Sequence, residues 1–200
     1  MMKHSKFVLI AMLLMQLCIL KTGANTITIV DGITLDMTFR NSSTIAFTVT
    51  GPNAKWTAIG LGQGMTNVDM FVLDPGSGSA QITDRFATTT STPPVDTTAN
   101  FVLESSSLNG TTWTYVILRD LDTGDSSQDT IIASGTHTYG SAWGPANTFV
   151  NHGTSNRTSF NVTIDTSAMT IVLGDSSSAA YLSSMFAVML MAVLALIMNM

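Results

Sequence analysis

The sequence has one cysteine and few charged residues. Cys18 lies near the N terminus inside an apolar run. The remainder of the chain therefore has no thiol for a disulfide, a zinc–thiolate site, a cysteine nucleophile or a covalently attached c-type haem. Eight basic residues face thirteen acidic ones, and three of the basic residues precede position 25, which leaves a net charge near −8 beyond it. So acidic a surface disfavours nucleic acid as a partner.

Residues 1–24 have the pattern of a secretory signal peptide. Lys3 and Lys6 provide a basic start, residues 7–20 are apolar, and residues 22–24 are small enough for cleavage. We therefore expect a secreted chain that begins near Asn25. The stretch 25–174, about 150 residues, suits one domain.

A second apolar run, residues 185–198, lies within the C-terminal segment 175–200. A polar segment of small residues precedes it, and this order is typical of a signal for a glycosylphosphatidylinositol (GPI) anchor. The alternative is a membrane-spanning helix, although the strictly apolar run is shorter than the ~20 residues that a span usually needs. Either interpretation predicts a protein tethered at the extracellular face of the plasma membrane. Four glycosylation sequons also predict a glycoprotein; they begin at Asn41, Asn109, Asn156 and Asn161.

Apolar residues between 25 and 174 recur with a period of two. Ile45, Phe47 and Val49 alternate with smaller residues, and Trp113 and Tyr115 share one face of a later run. Such alternation, with turn residues between the runs and no 3.6-residue period, predicts half-buried strands. The fold class that follows is an all-β, immunoglobulin-like sandwich of about ten strands. Within it we expect a short strand at 131–133 and mostly loop at 135–151.

A glycine-rich loop interrupts two of the predicted strands. Trp56 lies in the first strand, and Gly60, Gly62 and Gly64 follow, with Met65 directly after them. Glycines permit close approach of the backbone to a bulky group. A methionine at the tip of such a loop can ligate a soft metal or haem iron, or can cap the loop as an ordinary hydrophobe.

The remaining candidates for catalysis or metal binding have weak support in the sequence. His137 and His152 are the two histidines beyond residue 25, and each alone suits a structural role or a ligand. The aspartates between 120 and 129 resemble a calcium loop, but their spacing fails and the twelfth position is Ile131. We therefore interpret this stretch as a solvated loop. The G-x-S-x-G motif of serine hydrolases is absent.

One ordered set of residues spans nearly the whole of the stretch beyond residue 25. Its members are Trp56, Ala58, Gly60, Gly62, Gly64, Met65 and Asp69, then Arg119, Leu121, Thr123, Gly124, Asp125 and Asp129, then residues 131–133, and finally His152 and Gly153. This set resembles a DOMON domain. More narrowly, it resembles the haem-binding branch of that family, which includes the cytochrome domain of cellobiose dehydrogenases.

The resemblance implies a non-covalent b-type haem (heme b) held between Met65 and His152 as axial ligands of the iron. It also implies that Gly62 and Gly64 permit close approach of the ring and that Trp56 helps to wall the pocket. Iron with both axial positions filled by the protein suits electron transfer rather than catalysis. The expected protein is thus a carrier of single electrons and not itself an enzyme, with an oxidoreductase or membrane reductase as its redox partner.

Two other functions are compatible with the same residues. Some members of the wider family bind sugars without haem, so a carbohydrate-binding or adhesion module is the first alternative. The second is a copper site built from Met65, His137 and His152. One departure from the resemblance is Ile132, at a position where relatives often carry tryptophan.

Overall fold

The computed structural model describes residues 26–30, 32–75, 81–146 and 148–175, without the side chain of Asp175. The predicted signal peptide and residues 176–200 of the predicted anchor segment lie outside this part. Within it, no helix is long and apolar enough to cross a membrane. The strands are β1 (Thr26–Val30), β2 (Ile33–Phe39), β3 (Thr44–Pro52), β4 (Thr57–Gly60), β5 (Val68–Asp74), β6 (Gln81–Ala87), β7 (Val102–Asn109), β8 (Thr112–Asp120), β9 (Gly135–Trp143), β10 (Arg157–Asp165) and β11 (Thr170–Asp175).

These eleven strands form two antiparallel sheets. The first has the order β1-β2-β3-β8-β7, and the second has the order β11-β10-β9-β4-β5-β6. Apolar side chains from both sheets join in one buried core, so the sheets pack face to face as in a sandwich. The predicted all-β sandwich is confirmed, with one strand more than the ten expected.

The core follows the alternation read from the sequence. On β8, Trp113, Tyr115 and Ile117 are buried while the residues between them are partly exposed. Ile45, Phe47 and Val49 on β3 face them from the neighbouring strand. Because the side-chain period of a strand is two, every second residue of these parts of β3 and β8 enters the core.

Two local predictions were wrong. Residues 131–133 form no strand; Ile132 is buried instead, and its N–H donates to the carbonyl of Leu121 at 2.8 Å. The stretch predicted as loop contains β9, on which buried Tyr139 and Trp143 alternate with small residues. Glycine, serine and alanine between them hid the period, since small residues carry little hydrophobic signal.

A buried ion pair joins the two sheets through the core. Arg119 of β8 donates from Nη2 to Asp69 Oδ2 of β5 at 2.6 Å, and neither side chain is exposed to solvent. The same nitrogen donates to the carbonyl of Thr130 at 2.8 Å, while the guanidinium lies 5.1 Å from the ring centre of Phe101. Burial raises the pKa of Asp69 to about 7, even though Arg119 opposes this shift.

The loop after β8 is exposed or partly exposed over residues 121–130, as expected from the sequence, but its Asp129 side chain completes this network. The Asp129 side chain is 3 % exposed and accepts hydrogen bonds from Asn100 Nδ2, at 2.6 Å, and from Thr123 Oγ1. Asp129 thereby fixes residues 120–132 against the end of β8. Asp69, Arg119 and Asp129, which belong to the ordered set of residues described above, consequently stabilise the core.

Candidate functional site

The outer face of the six-stranded sheet has a floor of small side chains. On this face Gly60 of β4 lies opposite Gly140 of β9, and Ala58 lies opposite Ala142. Cross-strand partners project from the same side of a sheet. The four residues therefore form one flat patch at the centre of the sheet, away from the core.

Glycine is required at the centre of this floor. A Cβ added to Gly60 would lie 2.8 Å from Val68 Cγ1, and one added to Gly140 would lie 3.0 Å from the carbonyl oxygen of Gly62. At Gly62 a Cβ would approach Val68 Cγ2 at 3.3 Å. Gly64 differs, because an added Cβ would meet nothing within 4 Å while φ is +90°, a conformation that favours glycine.

Three loops rise around the floor and enclose a cleft of about 540 Å³. This volume lies within the range of small-molecule and cofactor sites. Residues 62–65 form one wall, residues 90–93 of the Thr- and Ser-rich loop form another, and residues 149–152 form a third. All five site residues predicted from the sequence line this one cleft; they are Trp56, Gly62, Gly64, Met65 and His152.

Met65 lies at the end of the glycine loop. Its partly exposed side chain packs against a small cluster of Val68, Met70 and Ala87 on the outer face of β5 and β6. The loop is closed by a hydrogen bond from the N–H of Leu61 to the carbonyl of Asp69 at 2.8 Å. Met65 thus packs against apolar side chains and also lines the cleft. This position suits a residue that caps the loop and also a residue that ligates a metal.

His152 lies on the opposite loop and is partly buried. Its Nδ1 is hydrogen-bonded to the carbonyl oxygen of Gly153, and since a carbonyl can only accept, Nδ1 is the donor. In the tautomer with the proton on Nδ1, the lone pair of the imidazole is on Nε2. An Nδ1–H bonded to a backbone carbonyl is the usual support of a metal-ligating histidine.

Aromatic rings support the histidine loop from below. Trp56 is fully buried, and its ring lies 4.8 Å from that of Phe149 and 6.4 Å from that of His152, centre to centre. Gly144 makes room for the indole, because an added Cβ would lie 1.7 Å from Trp56 Nε1. Phe71, Tyr139 and Trp143 differ from Trp56, because they belong to the sandwich core.

His137 does not join this site. On β9 it projects to the same side as Tyr139, toward the core, and its Nε2 is 2.9 Å from the carbonyl oxygen of Ala133. It does not line the cleft, so a copper site that combines it with Met65 and His152 has no geometric support. In the described ranges, no three His, Cys, Asp or Glu residues form a metal-binding group.

Several residues of the cleft had no clear signal in the sequence. Phe149, Gly140 and Ala142 lie in the stretch predicted to be mostly loop, and no motif singled out Arg157. The alternation of Tyr139 and Trp143 with small residues was the one feature of the sequence that indicated strand β9. It indicates large side chains on one face and small side chains on the other.

Ten chains of solved structures match this protein, among them two cytochrome domains. The cytochrome domain of Myriococcum thermophilum cellobiose dehydrogenase matches with a TM-score of 0.53 and 18 % identity, covering 76 % of this chain and 81 % of that one. The cytochrome b domain of pyranose dehydrogenase from Coprinopsis cinerea matches with a TM-score of 0.51 and 19 % identity, covering 64 % of this chain and 76 % of that one. At such identities the likeness shows the fold. No curated protein sequence matches the chain.

A family model gives the assignment at the level of sequence. The model described as DOMON domain matches residues 31–144. The match covers more than half of the chain and includes the glycine loop with Met65, as well as Arg119 and the network around it. This confirms the resemblance on which the sequence was interpreted: the chain belongs to the DOMON domain family.

Proposed function

We propose that this protein is a b-type haem-binding domain that carries single electrons, with Met65 and His152 as the axial ligands of the iron. The observation that carries the proposal is the convergence of these two residues, distant in sequence, on one cleft with a flat floor of small residues. The cytochrome domains found among the structural neighbours support it by analogy of fold.

The residues present fit a flat, largely apolar group. Side chains larger than alanine are absent from the central floor formed by Ala58, Gly60, Gly140 and Ala142, so a planar ring can lie close to the backbone. The wall residues offer a thioether sulfur on one loop and an imidazole Nε2 on another. With no cysteine beyond Cys18, a haem in this cleft is held without covalent bonds to the protein.

Bound haem supplies iron that accepts and releases one electron. The chain's own residues bind and orient the ring, and two protein ligands leave no open coordination position for a substrate. A domain of this kind passes electrons between partners instead of converting a substrate. We accordingly propose a redox partner, either an oxidoreductase or a membrane reductase.

The proposed location is the extracellular face of the plasma membrane, with a GPI anchor. The signal-peptide pattern of residues 1–24 and the apolar run at 185–198 support it. Two of the sequons lie at exposed turns, since Asn41 follows β2 and Asn109 ends β7 at a hairpin. Release of the protein from intact cells by a phosphatidylinositol-specific phospholipase tests the anchor, and retention after that treatment contradicts it.

Titration with haem tests the proposed function. The full-length protein from a secretory host is purified with haem supplied during expression, and its iron, copper and haem contents are measured. We expect about one haem and one iron per chain, with no bound copper. A protein that is colourless and also fails to bind added haem refutes the proposal. Binding on a panel of sugars by such a protein identifies the carbohydrate-binding alternative.

A further inference from the structure

The cleft differs in charge from the rest of the protein. The chain has thirteen acidic residues against eight basic ones, yet the described residues that line the cleft include no aspartate or glutamate. They do include Arg157, at the first position of β10. In an acidic protein, a site free of carboxylates that contains an arginine favours a ligand with negative charge.

The register of the sheet directs Arg157 toward the floor of the cleft. Arg157 lies opposite Ala142 on β9, and Ala142 lies opposite Ala58 on β4. Cross-strand partners share a face, so the arginine projects from the same face as the floor. Because β9 lies between β10 and β4, Arg157 is two strand spacings, about 10 Å, from β4. Arg157 is therefore at the margin of the floor and not beneath its centre.

Arg157 is also available for a ligand. Within the described part of the chain it makes no salt bridge and no side-chain hydrogen bond. The other arginines are engaged: Arg40 pairs with Glu104, Arg119 pairs with Asp69, and Arg85 donates to the carbonyl of Pro93 while lying over the ring of Phe149. A charged side chain at a cleft without a protein partner is suited to pair with a charged group of the ligand.

We propose that Arg157 binds a carboxylate of the molecule that occupies the cleft and so selects and orients an anionic planar ligand. The planar guanidinium offers two parallel N–H groups that match the two oxygens of a carboxylate. The proposal rests on the proposed function, in which that carboxylate is a propionate of haem. In that case Arg157 would hold the carboxylate of the ring from β10.

The test compares haem with its dimethyl ester, in which both propionates are capped and uncharged. Full-length wild-type protein and the variants Arg157→Gln and Arg157→Lys are titrated with each compound in the same detergent. Arg40→Gln is the matched control, because it removes an exposed arginine of equal charge on the turn after β2, away from the cleft.

We expect the wild type to bind haem about tenfold more tightly than the ester, as befits one exposed charge-assisted hydrogen-bonded pair. Arg157→Gln should weaken haem binding by about the same factor and leave ester binding unchanged. Arg157→Lys should restore part of the loss, and Arg40→Gln should match the wild type.

Three results overturn the inference and leave the proposed function intact. The first is a wild type that binds haem and ester equally well. The second is an Arg157→Gln variant that binds haem like the wild type, and the third is an Arg157→Gln variant that loses affinity for both compounds alike. If the wild type binds neither compound, the proposed function and the inference both fail.

Discussion

At β4 and β5 both faces of the six-stranded sheet are buried, but the two faces are built in different ways. On the inner face of β5, Phe71 and Leu73 enter a filled core of large side chains. On the outer face of β4 and β9, the residues Ala58, Gly60, Gly140 and Ala142 are small, and loops cover them at a distance that leaves a cleft. Side-chain size, rather than burial, distinguishes the face that stabilises the fold from the face that can hold a ligand.

The family motif is divided between these two faces. Its glycine loop, with Met65, opens on the cleft, whereas Asp69, a few residues later, points inward and pairs with Arg119. β5 connects them, since Asp69 and Met70 project to opposite sides of one strand. One short segment of sequence thus fixes the core and the wall of the cleft together.

The largest expected effect on stability comes from loss of the buried ion pair between Arg119 and Asp69. Arg119→Met leaves the Asp69 carboxylate buried without its cation, and breaking a buried pair in this way costs about 3–5 kcal/mol. Urea denaturation of the variant and the wild type measures the difference in free energy of unfolding.

The double variant Asp69→Asn with Arg119→Met is the control for that experiment. It removes the uncompensated charge, so it should recover part of the lost stability. If Arg119→Met is as stable as the wild type, the ion pair does not hold the sheets together as the structure indicates.

The second effect concerns pH and Asp84, which lies on the inner face of β6. Burial raises the pKa of Asp84 to about 6, although the backbone N–H groups of Asn100 and Phe101 donate to Oδ2. In the unfolded chain the Asp84 carboxyl has its ordinary pKa of 3.8. As the pH rises, the folded protein therefore keeps the Asp84 proton to a higher pH than the unfolded chain does. The contribution of Asp84 to stability is therefore fully present below about pH 4 and is lost as pH rises to about 6.

The variant Asp84→Asn isolates this contribution. A rise of the pKa from 3.8 to about 6 corresponds to at most about 3 kcal/mol, and the variant should lack that part of the decline. Unfolding free energies of both proteins between about pH 4 and pH 7 provide the comparison. Parallel curves for the two proteins would contradict a raised pKa for Asp84.

The smallest expected effect on stability, with a large one on binding, comes from filling the outer face. Ala142→Leu places a branched side chain on the floor of the cleft, where it occupies the space of a planar ligand. We expect haem affinity to fall at least about tenfold while the free energy of unfolding changes by less than about 1 kcal/mol.

A matched control for Ala142→Leu is Val116→Leu, because Val116 lies on the outer face of the other sheet and does not line the cleft. Haem titration and thermal unfolding of both variants separate blocking of the cleft from damage to the fold. Unaltered haem affinity in Ala142→Leu would place the ligand elsewhere.

Much of this organisation could be predicted from the sequence. Strands such as β3 and β8 have strong alternation of large apolar residues, so their inward faces were correct residue by residue. The glycine loop was recognisable because glycines followed by methionine interrupt two apolar runs. The resemblance then paired Met65 with His152, and both line the same cleft.

Other features could not be predicted, for physical reasons. β9 owes its outer face to Gly140 and Ala142, and small residues carry no hydrophobic period. The burial of Arg119 and Asp129 depends on partners from other strands, which local patterns do not reveal. The role proposed for Arg157 depends on the register of β10 against β9, because this register determines the face of the sheet from which Arg157 projects.

The most direct test of the account is the visible spectrum of the haem-loaded full-length protein, oxidised and reduced, beside Met65→Ala and His152→Ala. His137→Ala is the control, because that histidine faces the core side and does not line the cleft. We expect a low-spin b-type spectrum for the wild type and His137→Ala, and its loss or conversion to high spin in both ligand variants. A low-spin spectrum that survives in Met65→Ala or in His152→Ala would contradict ligation of the iron by that residue.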